Sequence, residues 1–419
     1  MMQHQSAGLT HAGRVRRQNQ DTILMAWELG LYILCDGCGG RAAGEVASKM
    51  ACEITHQVIR EKYRLLEDYA GKPSLLRRRK AIDLITSAIN VASEQMYAAG
   101  RSDLSKSGMG STIVALVIVA SRAIIAHAGD SRLYLLRDSQ IHRLTEDHNM
   151  ADQYVKMGLM TSEQGRKSPY AAMITRAVGF HEHAQLDTLH FELAPGDMLL
   201  LCSDGLSMYL TENELTRICR NTALDQVPEE LIRLANHRGG ADNSSAIIVR
   251  VDPEASEGDR DVVRCLQTLR RVPLFQHLSF KELLGLMDLV EIESYETGRR
   301  ILAEGQTSDR FFVSISGSME VVKSGQVLAQ LPAGSLLGEM GLIDRRGRSA
   351  DIIAKEPARV MMIPRAEFFS LLKRDRTLAV KVLWGLCHVL NSRLRHTSEE
   401  LSGVKVNLDQ LTGPDRPFV

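Results

Sequence analysis

Three apolar runs in this chain each end on an acid beside a small residue, and any fold must bury the runs while leaving the acids reachable. The first is Leu31-Tyr-Ile-Leu-Cys-Asp-Gly-Cys-Gly-Gly40, where Leu31 to Cys35 reads as a buried strand that stops at Asp36 and a cluster of glycines. Glycine there lets the backbone approach a ligand and offers the Gly37 carbonyl as an oxygen donor. The other two are Ala123-Ile-Ile-Ala-His-Ala-Gly-Asp130 and Met198-Leu-Leu-Leu-Cys-Ser-Asp204. Three strands are therefore expected to deliver Asp36, Asp130 and Asp204 to one place.

At 419 residues the chain exceeds one ordinary core, so at least two domains are expected. Its 51 basic and 51 acidic residues leave no net charge to draw it onto nucleic acid or an anionic membrane. The seven cysteines are scattered, mostly in apolar runs, which fits reduced thiols better than a disulfide framework. Cys35 and Cys38 form a CxxC, but no second CxxC or His pair stands at zinc-ligand spacing. The first ten residues lack the apolar core of a signal peptide, and the longest apolar run, Ile113 to Ala120, is too short to span a bilayer. A cytoplasmic chain follows as the expectation, with neither nucleic acid nor membrane as partner.

Taken in order, residues 41 to 100 carry helical periodicity and predict two helices separated near Pro73. Ser107 to Thr112 is a flexible lead into a hairpin-like pair, Ile113 to Ala120 and Ala123 to Ala128, followed by a strand at Arg132 to Leu136. A mostly helical stretch opens at Leu144. After the third acid-tipped strand come helices near 211 to 221 and 228 to 236, a polar glycine-rich loop at 239 to 245, and a last strand, Ala246 to Val251. Helices bracketing hairpin-connected strands indicate α+β with antiparallel sheets. Residues 252 to 261 turn polar and acidic, reading as a linker, and Val262 to Arg271 as a short amphipathic helix. Past Pro273, strands punctuated by glycine every eight to twelve residues suggest a small barrel or jelly roll, closed by helices at 366 to 373 and 378 to 395. The predicted domains are 1 to 251 and 273 to 395, joined by 252 to 272 and followed by a tail, 396 to 419.

Asp21, Asp36, Asp130, Asp204 and Asp242 all fall in loops or at strand ends. Any one alone reads as a turn or cap residue. Together with a glycine carbonyl, and with no convergent His or Cys, they make the oxygen-rich setting that Mg²⁺ or Mn²⁺ prefers. Two such ions can activate a water and clamp a phosphoryl group, which points to a phosphate hydrolase.

Eight segments then resemble, in order, the motifs of the metal-dependent serine/threonine phosphatases, the PPM or type 2C family. They are Arg16-Arg-Gln-Asn-Gln-Asp21, Asp36-Gly-Cys-Gly-Gly40, Gly108-Met-Gly-Ser-Thr112, Gly129-Asp-Ser-Arg132, Thr145-Glu-Asp-His148, Thr175-Arg-Ala-Val-Gly179, Cys202-Ser-Asp-Gly205 and Asp242-Asn-Ser-Ser245. The resemblance covers roughly residues 6 to 251 and implies an α-β-β-α sandwich and phosphorylated proteins as substrates. It implies that Asp36 bridges two metals and that the Gly37 carbonyl binds the second. Asp204 and Asp242 would hold the first, and Asp21 would act on the second through water. Asp130 matches an acid that, in bacterial relatives, helps hold a labile third ion with the Asp204 equivalent. Arg16 would receive the substrate phosphate, a role suited to a guanidinium fork. Gln20 replaces a Glu of many relatives, a change seen in the bacterial branch. Cys38 stands where animal members carry a His proposed as general acid, so leaving-group protonation falls to water or another residue, and a cleft thiol could make the enzyme sensitive to oxidation. His11, His127, His148, His181 and His183 read as structural.

In the second domain, Gly334 to Ala350 combines a glycine-framed turn with Glu339 and Arg348. Read from its residues, it is either a sugar-phosphate site or a solvated hairpin carrying Arg345, Arg346 and Arg348. The stretch is similar to the phosphate-binding cassette of cyclic nucleotide-binding domains, and the strands before it match that family's jelly roll across 273 to 395. Gly338, Glu339, Arg348, Ser349 and Ala350 keep the spacing of members that bind cyclic AMP or cyclic GMP. The resemblance implies a cyclic nucleotide effector acting on a phosphatase, with two alternatives: a C-terminal domain that has lost nucleotide and serves dimerisation or localisation, or a scaffold without catalysis. A homodimer through the C-terminal domain is open. Only about two dozen residues follow Arg395, too few for a helix-turn-helix.

Overall fold

The computed structural model describes residues 4–38, 43–252, 257–307, 309–343 and 347–412, and it parts into two compact units near residue 262. Gly39, Gly40, Arg345 and Arg346 lie outside the described residues.

The first unit holds two antiparallel sheets. The six-stranded sheet contains β2 (Asp21–Ala26), β3 (Leu31–Cys38), β5 (Ile113–Val119), β6 (Arg122–Ala128) and β9 (Asp187–Glu192), with the two-residue β4 (Gly110–Ser111) pairing to β3 off the main path. The five-stranded sheet runs β1 (His4–His11), β11 (Ser244–Val251), β10 (Met198–Cys202), β7 (Arg132–Arg137) and β8 (Gln140–Arg143). Alternate residues of the first sheet, Leu31, Ile33, Ile113, Ala115 and Ile124 among them, share a core with α1 (Ala43–Glu61) and α3 (Leu75–Ser102). In the second sheet Tyr134, Leu200, Ala246 and Ile248 pack with α7 (Glu212–Asn221) and α8 (Val227–His237). The intervening residues, Tyr32, Leu34, Val114, Leu133, Leu199, Leu201 and Ile247, are equally buried. Both sheet faces are therefore covered, and this is why the strands read as unbroken apolar runs rather than as alternating ones.

Three local expectations are corrected. Strand β3 does not stop at Asp36, because Gly37 and Cys38 continue the ladder by pairing with Ser111 and Gly110. The lead at 107 to 112 is accordingly ordered around that short strand. Residues 43 to 102 form three helices where two were expected over 41 to 100, since α2 (Arg64–Gly71) precedes the Lys72-Pro73 break and Ser74 then caps α3 by accepting from the Arg77 N–H at 3.3 Å.

The second unit is a jelly roll of two four-stranded antiparallel sheets. One is β12 (Glu291–Tyr295), β19 (Ala358–Pro364), β14 (Arg310–Ser316) and β17 (Leu336–Leu337). The other is β13 (Arg300–Leu302), β18 (Asp351–Ala354), β15 (Met319–Lys323) and β16 (Gln326–Leu331). Leu302, Phe312, Met319, Leu337, Ile352 and Val360 form its core. Helix α9 (Glu257–Arg271) begins inside the expected linker. The closing helix, α13 (Arg376–Thr412), runs through most of the expected tail, because the sequence offers no strong breaker before Gly413-Pro414.

Candidate active site

The predicted acids come from both sheets of the first unit. Asp21 opens β2 and lies directly opposite Asp36 of β3 in the strand register. Asp204 follows β10, with Ser203 between, and starts the short helix α6 (Asp204–Ser207). Asp242 lies in the loop before β11, and Asp130 in the turn after β6, where Gly129 adopts a φ of +107°. The sheets are stitched together at this point. One Asp21 oxygen, Oδ2, accepts from the Ser245 hydroxyl at 2.6 Å and from the Ser203 hydroxyl at 2.9 Å, both from the opposite sheet.

The electrostatics show that these carboxylates face one another. Burial first, then the charges of Asp21, Asp204, Asp130 and Asp242, push the Asp36 carboxyl well above its ordinary range. Burial raises Asp21 to about 7, against the opposing effect of its two serine hydrogen bonds, and the Asp204 charge adds to the rise. Asp130 rises to about 8 through burial and then the charges of Asp204 and Asp147. Asp204 moves up for the same leading reason, with Asp242 the next cause. Two oxygens in this group, Asp21 Oδ1 and Asp204 Oδ1, are buried without a hydrogen-bond donor among the described residues. Unpaired buried acceptors of one charge sign are costly. This donor set fits a hard divalent cation.

The quoted motifs are the scaffolding of this cluster. The Asp36 N–H donates to Thr112 Oγ1 at 3.0 Å, while the Asp36 carbonyl accepts from the Thr112 N–H at 2.8 Å and the Ser111 hydroxyl at 3.0 Å. Asn243 accepts from the Gln20 N–H at 2.8 Å and donates to the Ala12 and Gln18 carbonyls, fixing the loop that carries Arg16. Gly37 must be glycine, since a β-carbon there would lie 1.9 Å from the Gly44 carbonyl oxygen. Ser203, Ser245 and Asn243 stood inside quoted motifs, but their cross-sheet partners could not be read from a linear sequence.

Arg16 is exposed and donates through Nη2 to Asp242 Oδ2 at 2.8 Å, so it sits at the rim of the cluster. Cys35 belongs to the apolar core and Cys38 is half-buried, so this CxxC does not present a thiol pair. Burial and the Asp130 charge push the Cys38 thiol up to about 11. That is the reverse of an activated thiolate in the metal-free chain. His127, His148 and Asp187 lie within ligand distance of one another, and Arg176 already donates to Asp187 at 2.9 Å. His148 Nδ1 accepts from the Gly129 N–H at 3.2 Å, and its own N–H donates to the Gly129 carbonyl at 2.9 Å. This network braces the turn that carries Asp130.

In the second unit Gly338 has a φ of +72°, and a β-carbon there would lie 2.3 Å from Arg348 Nη1. Arg348 is buried and donates to the Gly338 carbonyl at 2.7 Å and to the Arg310 carbonyl, while its Nε has no partner among the described residues. Burial lowers the pKa of its guanidinium. A cavity of about 300 Å³ is bordered by Arg348, Arg310, Tyr295, Gln306 and Phe312. Glu339 is buried and accepts from Arg393 of α13, a partner that sequence reasoning missed because 54 residues separate the two. Ser349 is exposed and Ala350 half-buried beside Arg348.

Residues 8–242 match the family model described as Protein phosphatase 2C, and residues 292–375 match the Cyclic nucleotide-binding domain. The chain is 33% identical over 247 residues to the serine/threonine phosphatase stp of Listeria monocytogenes, a match covering 58% of this chain and 94% of the relative. Among solved structures, the serine/threonine phosphatase of S. agalactiae is 34% identical with a TM-score of 0.51, covering 60% of this chain and 100% of that one. The catalytic domain of the serine/threonine protein phosphatase PstP, in complex with two manganese ions, is 28% identical with a TM-score of 0.50, covering 59% and 98%. Among the described residues no helix is long and apolar enough to cross a membrane.

Proposed function

Because this chain belongs to the protein phosphatase 2C family of serine/threonine phosphatases, we propose that Asp21, Asp36, the Gly37 carbonyl, Asp204 and Asp242 hold two divalent cations, Mn²⁺ or Mg²⁺, and that Asp130 and Asp204 offer ligands to a labile third. Bound there, such ions activate water and clamp a phosphoryl group for in-line displacement. The observation that carries this reading is the pair of buried oxygens on Asp21 and Asp204 that have no donor among the described residues, in a cluster where burial and mutual repulsion push the carboxyls of Asp21, Asp36, Asp130 and Asp204 up. The rest is the work of the chain. The two serine hydroxyls fix Asp21, the Thr112 and Ser111 contacts fix the Asp36 backbone, and Asn243 holds the loop that presents Arg16. Arg16 receives the phosphate of a phosphoserine or phosphothreonine protein. Its exposed pairing with Asp242 is worth about 0–1 kcal/mol, so exchange for a phosphate costs little. Protonation of the leaving oxygen falls to water or another residue. The seven free cysteines support a reducing, cytoplasmic setting.

For the second domain the reading is a cyclic purine nucleotide, cyclic AMP or cyclic GMP, that modulates turnover. Arg348 would take the phosphate and Glu339 a ribose hydroxyl, with Gly338, Ser349 and Ala350 framing them. Support comes from the Gly338 cradle and the unpartnered Arg348 Nε. Coupling requires that nucleotide bind the two activity states with different affinity, so substrate or metal must reciprocally alter nucleotide binding. A second reading has its own observation: Arg348 and Glu339 already have partners within the chain, which favours a domain that serves assembly rather than nucleotide sensing.

The test is calorimetric titration of cyclic AMP, cyclic GMP and a non-cyclic nucleotide into the full chain, with Mn²⁺-dependent hydrolysis of a phosphothreonine peptide measured alongside. Binding of one cyclic nucleotide, weakened strongly by Arg348→Ala and accompanied by a changed rate, supports the regulated enzyme. Hydrolysis without nucleotide binding supports the second reading. Hydrolysis that persists in excess chelator overturns the metal assignment.

A further inference from the structure

The loop between β1 and β2, Ala12 to Gln18, carries three arginines, Arg14, Arg16 and Arg17, and no acid, in a chain that is neutral as a whole. It is tied down at both ends. Asn243 donates to the Ala12 and Gln18 carbonyls at 3.0 and 2.9 Å, and the Arg14 N–H donates to the Gly240 carbonyl at 2.7 Å. Gly13 has a φ of +77° and lies so close to the Asp242 loop that a β-carbon would sit 2.2 Å from the Asp242 carbonyl oxygen. The arginines are therefore presented on a backbone fixed to the loop that carries Asp242, and the 2.8 Å contact from Arg16 to that carboxylate places them at the rim of the acid cluster.

Of the three, only Arg16 has a carboxylate partner. Arg14 and Arg17 are exposed, and neither guanidinium makes an ion pair or hydrogen bond among the described residues. Arg238, beside the same Gly240 loop, is by contrast engaged by Glu214 through both of its terminal nitrogens. Two unengaged guanidiniums beside a phosphate site are placed for anionic groups that arrive with the phosphate. The centre itself offers little pull, since Asp21, Asp36, Asp130, Asp204 and Asp242 would offset the charge of two divalent cations. Attraction for an acidic segment must come from this loop. Residues one to three places from a phosphorylated side chain lie roughly 3–11 Å away along an extended peptide, comparable with the Debye length of about 8 Å at physiological salt.

We infer that this phosphatase selects phosphoserine and phosphothreonine sites flanked by acidic residues, with Arg14 and Arg17 receiving the flanking carboxylates while Arg16 takes the phosphate. The inference rests on the assignment of Arg16 to the phosphate and adds to it the chemistry of the surrounding substrate chain. Basic flanks would meet like charge and be disfavoured.

The test follows Mn²⁺-dependent hydrolysis by the full chain of three phosphothreonine peptides of one length, with Glu, Gln or Lys at the flanking positions. In low-salt buffer kcat/KM should rank Glu over Gln over Lys, with about three- to tenfold between Glu and Gln carried mainly by KM. The spread should shrink as sodium chloride is raised to about 0.5 M. Arg14→Gln with Arg17→Gln should bring the Glu-to-Gln ratio to about one, and Arg14→Glu with Arg17→Glu should invert the ranking. Equal rates for the three peptides, a preference for Lys flanks, or a Glu preference that survives both double variants would overturn the inference and leave the phosphatase reading standing. Absence of Mn²⁺-dependent hydrolysis of every peptide would overturn the phosphatase reading and the inference with it. If a double variant fails to fold, the wild-type ranking and its salt dependence still decide the question.

Discussion

Stripped of divalent metal, this protein should lose stability as pH rises. Asp21 and Asp130 sit at about 7 and about 8 in the folded chain, against 3.8 for an ordinary aspartate. From about pH 5 to 7 the unfolded chain has both groups ionised, while the folded, metal-free chain keeps Asp130 and most of Asp21 protonated. The folded state therefore binds more protons, and stability falls as pH rises at about 1.4 kcal/mol per pH unit for each group. Two groups give up to about 2.7 kcal/mol per unit, and Asp36 and Asp204, pushed up for the same leading reason, act in the same sense. For a domain of this size that is roughly 5–10 °C in Tm per pH unit. Asp187 works in the opposite sense, since its His148 hydrogen bond holds it far below the usual carboxylate range, but its contribution is lost only under strongly acid conditions. Saturating Mn²⁺ should hold the acids ionised and flatten the profile. The assay is scanning calorimetry of the chelated full chain at pH 5, 6 and 7, following the transition that Mn²⁺ shifts. Metal-free stability that is level or rises across this range would refute the argument that these acids share one enclosed site.

Three further outcomes are expected. Arg137→Ala should cost about 3–5 kcal/mol in urea unfolding, because it strands the buried Asp197 that Arg137 now engages at 2.8 and 2.5 Å; a loss below about 1 kcal/mol would show that the pair is dispensable. Arg16→Ala should raise KM for a phosphothreonine peptide several-fold with a smaller change in kcat, and a loss confined to kcat would instead place it in transition-state stabilisation. Gly338→Ala should abolish nucleotide titration heat if the cassette binds at all, since its β-carbon would strike the Arg348 guanidinium from a backbone conformation that alanine disfavours; unchanged heat would move the site elsewhere.

What was legible in the sequence depended on range. The apolar runs ending at Asp36, Asp130 and Asp204 announced buried strands and gathered acids because burial on both faces leaves no polar alternation to confuse the reading. The extension of β3 through Cys38 was hidden, since a two-residue partner strand at Gly110–Ser111 has no periodicity. The grip of Ser203 and Ser245 on Asp21, and of Arg393 on Glu339, is made between distant segments and leaves no local mark. Helix α13 outruns its expected end at residue 395 because the charged stretch Arg393 to Glu400 has the composition of a solvated tail.

Counting bound Mn²⁺ while measuring phosphate release tests the account most directly. Equilibrium dialysis of the chelated wild-type chain should show about two tightly held ions per protomer, with hydrolysis of a phosphothreonine peptide appearing as they load. Asp36→Ala should lose tight binding and at least about a thousandfold in turnover, roughly 4 kcal/mol of barrier. Full metal occupancy or wild-type turnover in Asp36→Ala would contradict the assignment of this carboxylate cluster as the catalytic centre.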